Sequence, residues 1–168
     1  MSYSEPQLVR LRLPSRLHPV YLIRHLGREV EGYPGADQLE TFEGKLLGSD
    51  SPGLLLRHLG LSDQPQVRML SLDLRRARRG LGRPSPRWSR VVRATLTDAD
   101  DLFFDAAASL SDQAMADATS GDTPFHRTHQ YLWGRADTLL PATERLRLWD
   151  AHLEWLQDSI TVRHRVGV

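Results

Sequence analysis

Four segments of the chain alternate between apolar and polar residues, and this period of two limits the available folds more than any other feature. They are Gln7–Leu13, Val67–Leu74, Ser89–Thr97 and Ile160–Val168. Successive side chains of a strand point to opposite faces of the sheet, so alternation is typical of strands with one face on the core. The sequence therefore predicts a four-stranded sheet.

The stretches between these strands have helical patterns. Ser15 is placed to cap a helix that ends at Gly27 or Gly32. Thr97 followed by Asp100 is typical of a capping box, which predicts a helix start at that point. The predicted helices cover residues 15–27, 37–47, 52–59, 97–110, a short segment after Ser111, 125–139 and 141–157.

The order strand, helices, strand, strand, helices, strand predicts an α+β fold. It is the ferredoxin-like, split β-α-β order (β-α-β-β-α-β), here with enlarged multi-helix crossovers and a four-stranded, mainly antiparallel sheet. An α+β fold with another strand order is the competing prediction. The length of 168 residues predicts a single domain, with a flexible basic loop over 75–87.

Two neighbouring blocks of opposite charge lie in the middle of the chain. Residues 64–97 contain nine arginines and one acid, Asp73, and residues 98–122 contain seven aspartates and no Lys or Arg. Like charges in a block repel one another, so a partner or another part of the protein is expected to offset them. The formal net charge of +1 conceals this division.

Arginines are expected on one side of the molecule, at the uncovered face of the sheet and on the basic loop. The face would carry Arg10, Arg12, Arg93, Arg163 and Arg165, and the loop Arg75, Arg76, Arg78, Arg79, Arg83 and Arg87, with Trp88 and Arg90 at its exit. Guanidinium groups suit phosphate oxygens, and a tryptophan beside them can stack on an exposed base. The alternative is a solvated arginine-rich surface paired with acidic residues of the same chain.

The leading functional hypothesis is a non-enzymatic protein that holds the phosphate backbone of DNA or RNA through these arginines. The alternative is an adaptor or assembly subunit whose basic and acidic surfaces meet an acidic protein partner or a second copy of the chain. The acidic stretch is also explained by helix caps and solvated helix faces.

Two histidines form the pattern for a third hypothesis, a metal-dependent enzyme. His126 and His129 are three residues apart, which places them on one side of a helix, and Asp122 precedes His126 by four. Two imidazoles and a carboxylate are a donor set for zinc or ferrous iron. Exposed histidines at a helix start are the alternative reading.

Several classes of protein are excluded or not expected. The absence of cysteine excludes disulfides, thiol catalysis and cysteine-bound metal clusters. The sequence has no P-loop, dinucleotide-binding glycine pattern or G-x-S-x-G motif, and no cofactor is expected. No stretch of eighteen apolar residues and no secretory signal are present, so a cytoplasmic protein without membrane contact is expected.

Overall fold

A computed structural model describes residues 4–62, 67–83, 88–135 and 137–164 of the chain. The strands are β1 (Glu5–Arg12), β2 (Val20–Val30), β3 (Tyr33–Leu39), β4 (Thr41–Phe42), β5 (Lys45–Ser49), β6 (Arg68–Asp73) and β7 (Ile160–Arg163). The helices are α1 (Pro52–His58), α2 (Leu74–Leu81), α3 (Arg90–Ser109), α4 (Gln113–Ala118), α5 (Arg127–Leu132) and α6 (Ala142–Asp158). Within these residues the fold is α+β, as predicted, with a seven-stranded, mostly antiparallel sheet and six helices.

The sheet is built around the N-terminal strand. Strand β1 lies between β2, its antiparallel neighbour, and β6, its parallel neighbour, within the order β4-β5-β2-β1-β6. Strand β3 also pairs with β2, and β7 pairs in parallel with β5. The predicted number of four strands is wrong, and the order of elements along the chain is not β-α-β-β-α-β.

Both faces of the sheet are covered, which the one-sided prediction did not include. One face packs against α2, α3 and α6, and its buried residues include Val9, Leu11, Leu22, Leu72, Leu102, Phe103 and Trp149. The other face packs against α1 through Leu8, Ile23, Leu47 and Leu55. None of the helices in the described ranges is long and apolar enough to cross a membrane.

Strand β2 occupies the segment predicted as the first helix. Val20 and Leu22 face one side of the sheet and Ile23 faces the other, and all three are buried. A strand buried on both faces reads as a continuous apolar run, which periodicity alone does not separate from a helix. The two-sided core is therefore the reason that this prediction was wrong.

The helix predicted over 37–47 is replaced by the end of β3 and the hairpin of β4 and β5. Glu43 and Gly44 form its turn, with φ angles of 50° and 77°. Two successive residues with positive φ are typical of the two-residue hairpin turn whose twist matches the flanking strands. The Glu43-Gly44 pair is therefore the local sequence signal for this hairpin.

The strand predicted at 89–97 is the first part of helix α3. The side chain of Ser89 accepts a hydrogen bond from the backbone N–H of Val92 and caps the helix there, eight residues before the predicted start at Thr97. From Leu96 onward the buried residues Leu96, Ala99, Phe103 and Ala106 repeat at helical spacing. The alternation of the first two turns was coincidental, because the exposed residues there include both valine and arginine.

The predicted basic loop 75–87 is in part a helix. The carboxylate of Asp73 accepts a hydrogen bond from the backbone N–H of Arg76 and caps α2. Leu74, Ala77, Gly80 and Leu81 form its buried side. Alternation of arginines with small or apolar residues is thus the pattern of an amphipathic helix, and residues 84–87 lie outside the described residues.

Other predicted elements agree with the structure within a few residues. These are β1, β6, α1 and α6, with β7 at the start of its predicted segment, and residues 165–168 lie outside the described ranges. The helix predicted over 125–139 is shorter, since α5 ends at Leu132. The short helix expected after Ser111 is α4, capped by Asp112.

Gly80 allows α2 and α3 to approach closely, and we predict that Gly80→Ala destabilises the protein. A Cβ added there would lie 2.6 Å from Cγ1 of Val92. Alanine normally stabilises a helix by about 0.5–1 kcal/mol relative to glycine, whereas overpacking costs about 1–3 kcal/mol. A decrease in the free energy of unfolding would therefore indicate that the added methyl group clashes with Val92. Urea unfolding measures it.

Two further variants control this experiment. Adding Val92→Ala to Gly80→Ala removes the clashing methyl groups and should recover most of the lost free energy of unfolding. Gly53→Ala in α1, where an added Cβ meets nothing within 4 Å, should not destabilise. A Gly80→Ala protein as stable as the original would contradict the close contact.

Candidate functional site

A stripe of arginines runs along the exposed side of α2 and continues onto the start of α3. Arg76 and Arg79 are exposed on α2, and the exposed Arg83 lies two residues past the end of the helix. Gly80 of α2 packs against Val92 of α3, so the exposed Arg90 and Arg93 lie on the neighbouring helix. We define the α2/α3 arginine surface as Arg76, Arg79, Arg83, Arg90 and Arg93.

A groove of about 480 Å³ opens beside this surface, between the start of α3 and the end of α5. It is lined by Trp88, Arg90, Arg93, Ala94, Thr97, Asp98, Leu132 and Trp133. One guanidinium N–H of Arg93 donates to the carbonyl of Leu132 at 3.2 Å and joins the two walls. Trp133 is 61% exposed and contributes a free aromatic face.

Trp88 does not have the exposed position predicted for it, because it is buried beneath a guanidinium group. The Cζ atom of Arg145 lies 5.7 Å from the centre of the Trp88 ring. Arg145 itself donates hydrogen bonds to the carbonyls of Leu81, Arg83 and Leu140, and burial lowers the pKa of its guanidinium. Trp88 is thus a structural residue. The exposed aromatic residue of the groove is Trp133, which lies in the helix predicted over 125–139 and was not predicted as a site residue.

Two arginines assigned to the loop are paired within the protein. Arg78 binds Asp150 of α6 through two hydrogen bonds of 2.6 Å and 2.9 Å, and these lower the pKa of the Asp150 carboxyl. Arg75 lies 3.7 Å from Asp73. Arg78 therefore attaches α2 to α6, and neither residue presents an unpaired charge.

Of the arginines assigned to the sheet, Arg10, Arg12 and Arg163 are on strands, whereas Arg93 is on helix α3 and belongs to the α2/α3 arginine surface. Arg10 and Arg12 alternate with Val9 and Leu11 of β1, which are buried against α2, α3 and α6, so the arginines are on the opposite face. Arg163 lies over the Phe42 ring at 4.3 Å on that same face. Arg87 and Arg165 lie outside the described residues.

Most aspartates of the acidic stretch contact groups of the same protein. Its contacts are Asp100 with His126 and His129, Asp105 with Arg24, Asp112 with the N–H of Met115 and the indole of Trp155, Asp117 with Gln113, and Asp122 with Arg127. Asp98 lines the groove with Arg90 and Arg93, and burial raises the pKa of its carboxyl. The two charge blocks of the sequence therefore do not form a mutual salt bridge network within the described ranges.

A buried carboxylate and two imidazoles meet where α5 begins beside α3. Oδ2 of Asp100 lies 3.0 Å from Nδ1 of His126 and 3.0 Å from Nδ1 of His129. The two rings are stacked with their centres 4.8 Å apart. The nearby carboxylate of Asp100 raises the pKa of the His129 imidazole. These three residues are the donor set in the described structure that is arranged to hold a metal ion.

Asp122, the carboxylate proposed from the sequence, is not part of this cluster. Its exposed side chain lies 3.3 Å from Arg127. Asp100 takes its place, from a helix 26 residues earlier in the chain. The sequence correctly paired His126 with His129 but contained no local signal for a ligand so distant.

Comparisons with known proteins identify a similar fold. No family model matches the chain, and no curated protein matches it. The fold is similar to the crystal structure of the SatS C-terminal domain in complex with bromine, with a TM-score of 0.61 and 14% sequence identity. The alignment covers 94% of each chain. At this identity the likeness concerns the fold alone.

Asp105 is the most strongly perturbed acid of α3, and we predict that it makes stability depend on pH. Burial raises its pKa from 3.8 to about 7, although Nε of Arg24 is 3.0 Å away and the N–H of Asp37 donates to it. Between these two pH values the folded state holds the proton more tightly than the unfolded chain, so the free energy of unfolding should fall as pH rises.

The variant Asp105→Asn tests this dependence. Asparagine keeps an oxygen for the N–H of Asp37 but does not ionise, so the fall in unfolding free energy between pH 4 and pH 7, measured in urea, should be smaller. Asp117→Asn, which changes an exposed acid, serves as the control. Identical pH profiles for Asp105→Asn and the original protein would contradict the assignment.

Proposed function

We propose that the protein binds nucleic acid, without catalysing a reaction on it, through the α2/α3 arginine surface. The observation that carries the proposal is a row of exposed arginines on α2, packed beside helix α3, whose exposed Arg90 and Arg93 line a groove next to the exposed Trp133. Among the described residues, no ion pair is present for Arg76, Arg79, Arg83 or Arg90. These guanidinium groups are therefore available for an external anion.

The spacing of the stripe suits a polymer of phosphates. Arg76 and Arg83 are seven residues apart on α2 and its end, a rise of about 10 Å. Phosphates of one DNA strand are separated by about 3.4 Å along the axis, so this length covers about three of them. Arginine contacts of this kind release counterions and do not depend on base sequence.

Trp133 supports a single-stranded segment as the preferred ligand. Its exposed ring lies at the rim of the groove, beside Arg93, which is the arrangement in which a base stacks while its phosphate meets a guanidinium. Stacking on an aromatic side chain is worth about 1–3 kcal/mol for each base. Duplex contacts would use the arginines without the tryptophan.

Removing the α2 arginines should weaken binding and reduce its salt dependence. The variant Arg76→Ala, Arg79→Ala, Arg83→Ala takes three charges from the stripe and leaves Arg78 and Arg93, which hold helices together. Each lost phosphate contact reduces the slope of log affinity against log salt by about 0.7–0.9, so the slope should fall by about two to three in magnitude. Fluorescence anisotropy with labelled single strands and duplexes across a salt series measures this.

A matched variant separates the location from the total charge. Arg28→Ala, Arg57→Ala, Arg68→Ala also removes three exposed arginines, from β2, α1 and β6. It should retain the original affinity and slope at moderate salt. Equal losses of affinity in both variants would mean that binding depends on the total charge and not on the α2/α3 arginine surface. An original protein that binds no nucleic acid but co-purifies with an acidic protein would favour the adaptor function instead.

Asp98 lowers the positive potential of the groove, and we predict that Asp98→Asn strengthens binding. Its carboxylate lines the same groove as Arg90 and Arg93, where it repels a phosphate. Removing one like charge should raise affinity severalfold at low salt and less at high salt, because salt screens the repulsion. The same anisotropy assay measures the effect, and Asp117→Asn outside the groove should have none.

A further inference from the structure

The cluster of Asp100, His126 and His129 joins α3 to the start of α5. Asp100 is on α3, His126 directly precedes α5 and His129 lies in its first turn. Helix α5 has no fully buried residue among its six, although Leu132 packs against the core. The cluster is therefore an enclosed polar contact between the two helices.

The donor atoms are already spaced as metal ligands. The two Nδ1 atoms are each 3.0 Å from the same oxygen of Asp100, and the donor atoms all lie within 4.8 Å of one another. Zinc is bound at about 2.0–2.2 Å by imidazole nitrogen and carboxylate oxygen, which places tetrahedral donors about 3.3 Å apart. A small adjustment of side chains would bring all three donors to such an ion.

Hydrogen bonding within the cluster leaves one of its buried nitrogen atoms without a partner. Nδ1 of His129 is buried and has no hydrogen bond of good geometry, although it is close to the carboxylate. His126 uses the same carboxylate oxygen. A cation held by the carboxylate and the two imidazole nitrogens would give Nδ1 of His129 a partner.

Space for a further ligand adjoins the cluster. A cavity of about 20 Å³ is bordered by Asp100 and His129 on one side and by apolar residues such as Leu96 and Phe125 on the other. This volume holds about one water molecule. Three protein ligands and one water complete a four-coordinate sphere.

We infer that Asp100, His126 and His129 bind one divalent first-row transition metal ion. Two imidazoles and one carboxylate suit zinc, and also cobalt, nickel and iron, better than magnesium or calcium, which prefer oxygen donors. The ion connects the start of α5 to the middle of α3. The site is independent of the α2/α3 arginine surface.

Titration of chelator-treated protein without a histidine tag tests the site. Calorimetry with Zn²⁺ should give one equivalent bound, and Co²⁺ should give the visible absorption of a low-coordinate nitrogen and oxygen site. The variants His129→Ala and His126→Gln should each weaken binding roughly tenfold or more. Mg²⁺ at the same concentrations should not compete.

The controls separate this site from other histidines and acids. Asp122→Asn and His58→Ala remove side chains outside the cluster and should keep stoichiometry and affinity. Circular dichroism establishes that each variant is folded, and His126→Gln provides a second reading if His129→Ala is not. Absence of stoichiometric Zn²⁺ binding by the original protein, or unchanged binding in a folded His129→Ala protein, would overturn the proposal.

The arginine variant distinguishes this proposal from the proposed function. The protein with Arg76→Ala, Arg79→Ala and Arg83→Ala should bind Zn²⁺ with the affinity of the original protein. Failure of the original protein to bind nucleic acid therefore leaves the metal result unaffected, and the reverse also holds.

Discussion

The buried guanidinium of Arg145 is the interaction on which the arrangement of the helices depends. It extends from α6 and donates to the carbonyls of Leu81 and Arg83 at the end of α2 and of Leu140 before α6. The carbonyl end of a helix carries partial negative charge, so it compensates a buried cation without a carboxylate. The same group lies over the ring of Trp88, which directly precedes the Ser89 cap of α3, and so connects the start of α3 with the end of α2.

The charged residues divide into those that build the protein and those that face outward. Arg78 and Arg145 hold α2 to α6, and Arg93 joins α3 to the end of α5. Arg76, Arg79 and Arg90 are exposed beside them. In the sequence all of these arginines except Arg145 belong to one basic block. Only their positions around the helix axes distinguish the arginines that hold helices together from those that face solvent. The same holds for the acids, where Asp100 and Asp105 are buried and Asp117 is exposed.

Particular elements explain how much of this was predictable. The alternating or amphipathic patterns of β1, β6, α1 and α6 were sufficient to predict these four elements within a few residues. Strand β2 was not recognised because α1 covers its second face, which removes the polar half of the pattern. In the site, local spacing predicted the pair of His126 and His129, whereas Asp100 and Trp133 required the packing of α3 against α5. Long-range packing of this kind leaves no trace in a local sequence pattern.

Helix α5 is bounded by two glycines of positive φ, Gly121 before it and Gly134 after it, and it contributes no buried residue to the core. One of its ends holds His126 and the other leads to Trp133, with His129 and Trp133 only 6.2 Å apart between ring centres. His129 and Trp133 are one helical turn apart, so a substitution that unwinds α5 would disturb the histidine cluster and the exposed wall of the groove together.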